Sequence, residues 1–160
     1  MKKLGLCILA FLFVFLFGCA PSAPEKADLH IDSSFKATVN ELDLEGLLIY
    51  SDTGEMYLDI STPDELYGLS FSWTDNFNIA YRGLTAVTEG DYLPNSSFAQ
   101  SIKNTLDALR EETPPLAEEG EFFTASVNSE SGLGKIYTDP KGVIKEIEIL
   151  AENIKIKLSP

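Results

Sequence analysis

Histidine is nearly missing: the 160 residues contain one, His30. A Ser or Cys nucleophile that relies on an imidazole base therefore has no such partner beyond residue 30. A zinc site of the usual His/Cys kind lacks its ligands for the same reason. Cysteine is as scarce, with Cys7 and Cys19 the only two. Everything after Cys19 has neither a disulfide nor a free thiol, so stability rests on packing. Cations are few, 12 Lys and Arg against 25 Asp and Glu, for a formal charge of −13. Nucleic acid is excluded as a partner because phosphate neutralisation needs clustered Lys and Arg. No P-loop, dinucleotide-binding glycine fingerprint or EF-hand spacing occurs. Carboxylate pairs are the remaining route to acid–base chemistry. Asp43 with Glu45, Asp64 with Glu65, and Glu118 and Glu119 with Glu121 all fall at positions that suit a solvated surface. The chain is expected to be no enzyme and to need no metal and no cofactor.

What the N-terminus does hold is hydrocarbon. Lys2-Lys3 precedes an apolar run from Leu4 to Phe17. As a helix that run spans about 21 Å, short of the roughly 30 Å bilayer core. It reads as a secretory signal over residues 1–18; a permanent transmembrane helix is the alternative. The run closes on Leu16-Phe17-Gly18-Cys19, which resembles the bacterial lipobox, although Phe17 is bulkier than the usual occupant. The resemblance implies that Cys19 takes a thioether-linked diacylglycerol and becomes the new N-terminus; an ordinary secreted chain is the other reading. Two acyl chains suffice for stable anchoring. Loss of Lys2 and Lys3 with the signal takes the formal charge from −13 to −15. A surface so acidic repels anionic lipid heads, so the lipid on Cys19 and not the protein surface is the membrane contact. Residues 19–32, with Pro21, Pro24 and mixed charges, read as a tether, and 33–160 as a single domain.

Within that domain the dominant signal is period-two alternation. Met56-Leu58-Ile60, Leu69-Phe71-Trp73, Phe77-Ile79-Tyr81 and Ile154-Ile156-Leu158 each alternate with mostly polar or small neighbours. Turn chemistry such as Asp52-Thr53-Gly54 and Asp139-Pro140-Lys141-Gly142 separates such runs. The expected strands are 33–40, 42–51, 55–61, 68–74, 77–82, 84–88, 121–128, 133–138, 143–150 and 154–158. One segment departs: Phe98, Ile102, Leu106 and Leu109 recur at helical spacing. Ser97 with Gln100 has the spacing of a capping box, and Pro114-Pro115 follows. A helix is expected over 97–110, with a further helical turn over 62–66.

Areas then constrain the fold. Ten strands make a sheet roughly 48 Å wide, whereas one such helix covers a strip roughly 21 by 10 Å. The uncovered apolar face must curl onto itself or meet a guest, since large apolar patches are rarely left in water. The expected architecture is mainly β, a strongly curved antiparallel sheet or open half-barrel of about ten strands with one main helix on its concave side. A collapsed core and a ligand cavity both satisfy the area argument. Candidate cavity residues are Leu69, Phe71 and Trp73 on one strand face, Phe77 and Tyr81 on the next, and Phe98 and Ile102 on the helix. Phe122 and Phe123 are adjacent and must face opposite sides of their strand.

The order of these pieces, with "GLLIY", "MYLDISTPDELYGLSF", "YRGL", a helix after "LPNSSF", and closing "GVIKEIEIL" and "IKIKL", resembles the LolA/LolB-like lipoprotein carriers. It is more similar still to related clostridial lipoproteins, including spore-germination ones. That resemblance covers roughly residues 33–158. It implies an incomplete antiparallel barrel with helices plugging its concave side, and it carries no sharp ligand motif. This chain has one clear helix where the carriers have more, and its apparent anchor suits the LolB-like branch. The implied role is an extracytoplasmic, membrane-anchored lipoprotein that binds a lipid or a lipoprotein's acyl chain in the curved sheet. The alternative is a non-enzymatic regulator that docks on a cell-envelope or spore-germination factor. The clostridial likeness implies a single-membrane, Gram-positive host.

Overall fold

The computed structural model describes residues 24–88 and 93–159. The apolar N-terminal run read as a signal, and Cys19, lie outside them. The described chain forms β1 (Ile31–Val39), β2 (Leu42–Tyr50), β3 (Met56–Thr62), β4 (Leu69–Trp73), β5 (Phe77–Tyr81) and β6 (Leu84–Thr88). Then follow the helix α1 (Phe98–Glu112), β7 (Ala117–Glu119), β8 (Phe122–Ser129), β9 (Gly132–Thr138), β10 (Ile144–Ile149) and β11 (Ile154–Ser159). Short 3-10 turns occupy Asp64–Leu66 and Leu150–Glu152.

The strands make one antiparallel, curved and unclosed sheet in the order β6-β5-β4-β3-β2-β1-β11-β10-β9-β8-β7. Chain neighbours pair as antiparallel strands except β6 and β7, which the helix separates and which form the two edges, and β1 with β11 joins the two halves. Two-residue turns fix several registers. Asn40-Glu41 links Val39 to Leu42, and Arg82-Gly83 links Tyr81 to Leu84, all four turn residues at positive φ. Such turns match the strand twist.

The mainly β architecture with one principal helix is the one expected from the sequence. Three details differ. The sheet has eleven strands among the described residues, not ten: β7 is a three-residue, fully exposed Ala-Glu-Glu strand where a loop was expected. The folded body also begins earlier than residue 33. Ala27 is buried, Asp28 bridges Val143, and β1 starts at Ile31, so the end of the expected tether belongs to the domain. Finally, Ser97 is the N-cap residue of α1, but its side chain makes no capping bond and its Oγ is buried without a partner. The entry to the helix is held instead by the Asn95 carbonyl, which accepts from Ser101 Oγ at 2.9 Å and Ser131 Oγ at 2.5 Å.

Alternation places Phe35, Leu48, Leu58, Ile136, Ile147 and Ile156 on the concave face, all at most 1 % exposed. The opposite face is charged and wet. There Lys155 bridges Glu146 and Glu148 at 2.6 and 2.7 Å, and Lys36 meets Glu45 at 2.7 Å.

Candidate functional site

The site is defined by where the helix lies. Ile102, Leu106 and Leu109 point into the sheet and are almost fully buried. Thr105 rests on Gly134 of β9, where an added Cβ would come within 2.6 Å of its Cγ2. The missing side chain at 134 is what lets helix and sheet approach so closely. At the other flank, the Tyr50 hydroxyl donates to Asp107 Oδ1 at 2.7 Å, and Arg110 donates to the Thr53 carbonyl at 2.6 Å. Lys103 pairs with Asp107 from the preceding turn. Burial, reinforced by Asp107, pushes the Tyr50 phenol well above its ordinary range. These contacts seat α1 over β2 and the β8–β10 side.

Among the described residues, no comparable contacts hold the helix over β4 to β6. Ladder partners share a face, so one concave row runs Leu48, Leu58, Phe71, Ile79, Ala86. Its first two members are fully buried, Phe71 and Ile79 are half-buried, and Ala86 is exposed. The next row, Met56, Trp73, Phe77, Thr88, starts buried and ends half-exposed. Cover is thus lost strand by strand toward β6, where Leu84 is 76 % exposed. The result is an apolar shelf inside the curve of the sheet.

The candidate residues divide accordingly. Ile102 lies wholly in the packed core beneath the helix, and Trp73 and Phe77 are nearly as buried. Trp73 packs against Phe77 at 4.8 Å and stacks with Phe71 at 6.3 Å. Leu69, Phe71, Tyr81 and Phe98 keep part of their surface open. Phe98 meets Phe35 at 5.9 Å at the start of the helix, and the Tyr81 hydroxyl donates to the Glu65 carbonyl. Ile79 belongs to the shelf and was missed, although it alternates in register with Phe77 and Tyr81. Phe122 and Phe123 split as their adjacency requires, 41 % and 6 % exposed.

A second concavity, about 590 Å³, sits at the C-terminal end of the helix, beside Leu109, Arg110 and Thr113. Lys26, Asp28, Asp52 and Arg110 form its polar rim over Leu29 and Leu109. None of the seven candidates lines it. Among the described residues there is no cluster of His, Cys, Asp or Glu able to hold a metal ion, and no helix long and apolar enough to cross a membrane. His30 is exposed, and its amide bonds Asp28.

No family model matches the sequence, and no curated protein matches it. Among solved structures, a LolA superfamily protein from Nitrosomonas europaea is similar at 4 % identity, over 79 % of this chain and 69 % of that one, with a TM-score of 0.34.

Proposed function

We propose that this chain is a lipid-anchored extracytoplasmic protein whose uncovered concave shelf holds an apolar ligand, a lipid or the acyl chain of a lipoprotein. The observation that carries the reading is the unequal cover of one apolar sheet face. Leu69, Phe71 and Ile79 stay half-open within the curve, backed by the closed core of Leu58, Trp73 and Phe77. An acyl chain fits such a surface because it needs apolar area and no directional partner. Leu69, Phe71 and Ile79 are already partly buried, so covering what remains, about 50 Å² on each, is worth a few kcal/mol at about 25 cal/mol per Å² before binding entropy is subtracted. Anchorage through Cys19 and a non-enzymatic role are part of the same proposal.

Native mass spectrometry of the protein with a long-chain fatty acid tests it. One bound chain is expected on the wild type and none on Ile79→Asp, which puts a carboxylate on the shelf. A clean ligand-free mass for the wild type would overturn the reading. The alternative, docking on another envelope protein, draws support from the exposed Phe122 on the opposite face of the sheet.

A further inference from the structure

The two edges of the sheet are built differently. β7 is three residues long and carries Glu118 and Glu119, which guards an edge against added strands. β6 reads Leu-Thr-Ala-Val-Thr, with no charge, no proline and no bulge, and no described strand pairs with its outer side. Its turn fixes which backbone groups face out. Tyr81 and Leu84 close the two-residue turn as a hydrogen-bonded pair, so Leu84, Ala86 and Thr88 direct their N–H and C=O groups to β5. Thr85 and Val87 direct theirs away from the sheet. Both side chains are exposed, Val87 at 61 %.

We infer that the β6 edge is a strand-addition site for an extended segment of a basic partner protein. Main-chain donors and acceptors at strand spacing are satisfied in full only by another extended backbone. An incoming strand would lay alternate residues beside Leu84 and Ala86 on the concave side, which selects apolar side chains there. Its charge follows from complementarity. The chain carries −13 overall, so Lys or Arg flanking the incoming segment steers association. The same charge repels a second copy of this chain. The inference does not depend on the apolar ligand: an acyl chain touches Phe71 and Ile79 side chains and leaves the edge amides open.

The test uses the intact chain and a synthetic nine-residue peptide: three valines at alternating positions, threonines between them, two lysines at each end. Amide hydrogen exchange is read by NMR. Saturating peptide is expected to slow exchange at Thr85 and Val87 at least tenfold. The same peptide with glutamates for lysines is expected to bind at least tenfold more weakly, and the peptide N-methylated along its backbone not at all. Val87→Pro, tolerated where an edge N–H faces solvent, is expected to abolish binding. Because proline also risks the fold, the N-methylated peptide on wild-type protein decides independently. Unchanged exchange at both amides, or equal binding by the N-methylated peptide, would overturn the inference. So would protection that grows with protein concentration alone, which would assign the edge to a second copy.

Discussion

Replacing Gly134 by alanine tests how the helix is seated. The new Cβ would lie 2.6 Å from Thr105 Cγ2 and 3.3 Å from Val127 Cγ2, against an ordinary carbon–carbon separation of about 3.5–4.0 Å. Thr105 is fully buried, and its hydroxyl donates to the Ser101 carbonyl at 2.8 Å, so it cannot swing aside without losing that bond. Overpacking of this kind costs about 1–3 kcal/mol. Reduced freedom of the unfolded chain returns about 0.4–1 kcal/mol, leaving a net loss of roughly 1–2 kcal/mol. Thr105→Ser removes the colliding methyl and keeps the hydroxyl; alone it should cost about 0.5–1.5 kcal/mol, as for other single-methyl deletions. Together the alanine methyl fills the space the threonine methyl left. Urea unfolding followed by circular dichroism measures the cycle, with unchanged m-values as the sign that only stability moved. The double variant should be more stable than the sum of the singles by about 1–2 kcal/mol. Additivity within about 0.3–0.5 kcal/mol, the behaviour of independent sites, would refute the idea that Gly134 exists to admit Thr105.

Leu106→Ala, at a fully buried position, should lower stability by about 2–5 kcal/mol in the same assay. Tyr50 has its folded pKa raised above the ordinary 10.0, so the folded state keeps a proton that the unfolded state gives up. Stability should therefore fall as pH rises above about 10, and a Tyr50→Phe variant should lack that part of the slope in alkaline unfolding. Glu148 is held below its ordinary 4.5, first by Lys155 and then by Tyr137. Its contribution is present above the unfolded value and fades as pH drops through the folded one. In Lys155→Ala, carboxyl NMR should show Glu148 titrating at higher pH.

Most of the strand plan was legible because alternation and turn chemistry act locally. The Asp52-Thr53-Gly54 and Asp139-Pro140-Lys141-Gly142 turns fall between β2 and β3 and between β9 and β10 as expected, and the stripe from Phe98 to Leu109 forms the helix. Asn40 and Arg82, expected at strand ends, are instead turn residues at positive φ. β7 escaped because Ala-Glu-Glu has no apolar face, and its pairing with Phe122–Thr124 is a tertiary choice. The capping spacing at Ser97 and Gln100 misled for a similar reason. Asn95, Ser101 and Ser131 meet only once β8 and β9 are folded. For the site, the sequence shows that one helix cannot cover the sheet, but not which strands it leaves bare. That depends on Gly134 and on Tyr50 reaching Asp107, contacts 29 and 57 residues apart along the chain. Hence the candidates split between a closed core and an open shelf, and Ile79 went unselected beside its more conspicuous aromatic neighbours.

Trp73 is the only tryptophan and stacks on Phe71 at the inner border of the shelf. Quenching of its fluorescence by a brominated long-chain fatty acid therefore reports whether an acyl chain settles there. Saturable quenching that disappears in Phe71→Asp is the expected result. Emission unchanged by the brominated chain, or quenched equally in the wild type and Phe71→Asp, would contradict the binding of an apolar ligand on β4 and β5.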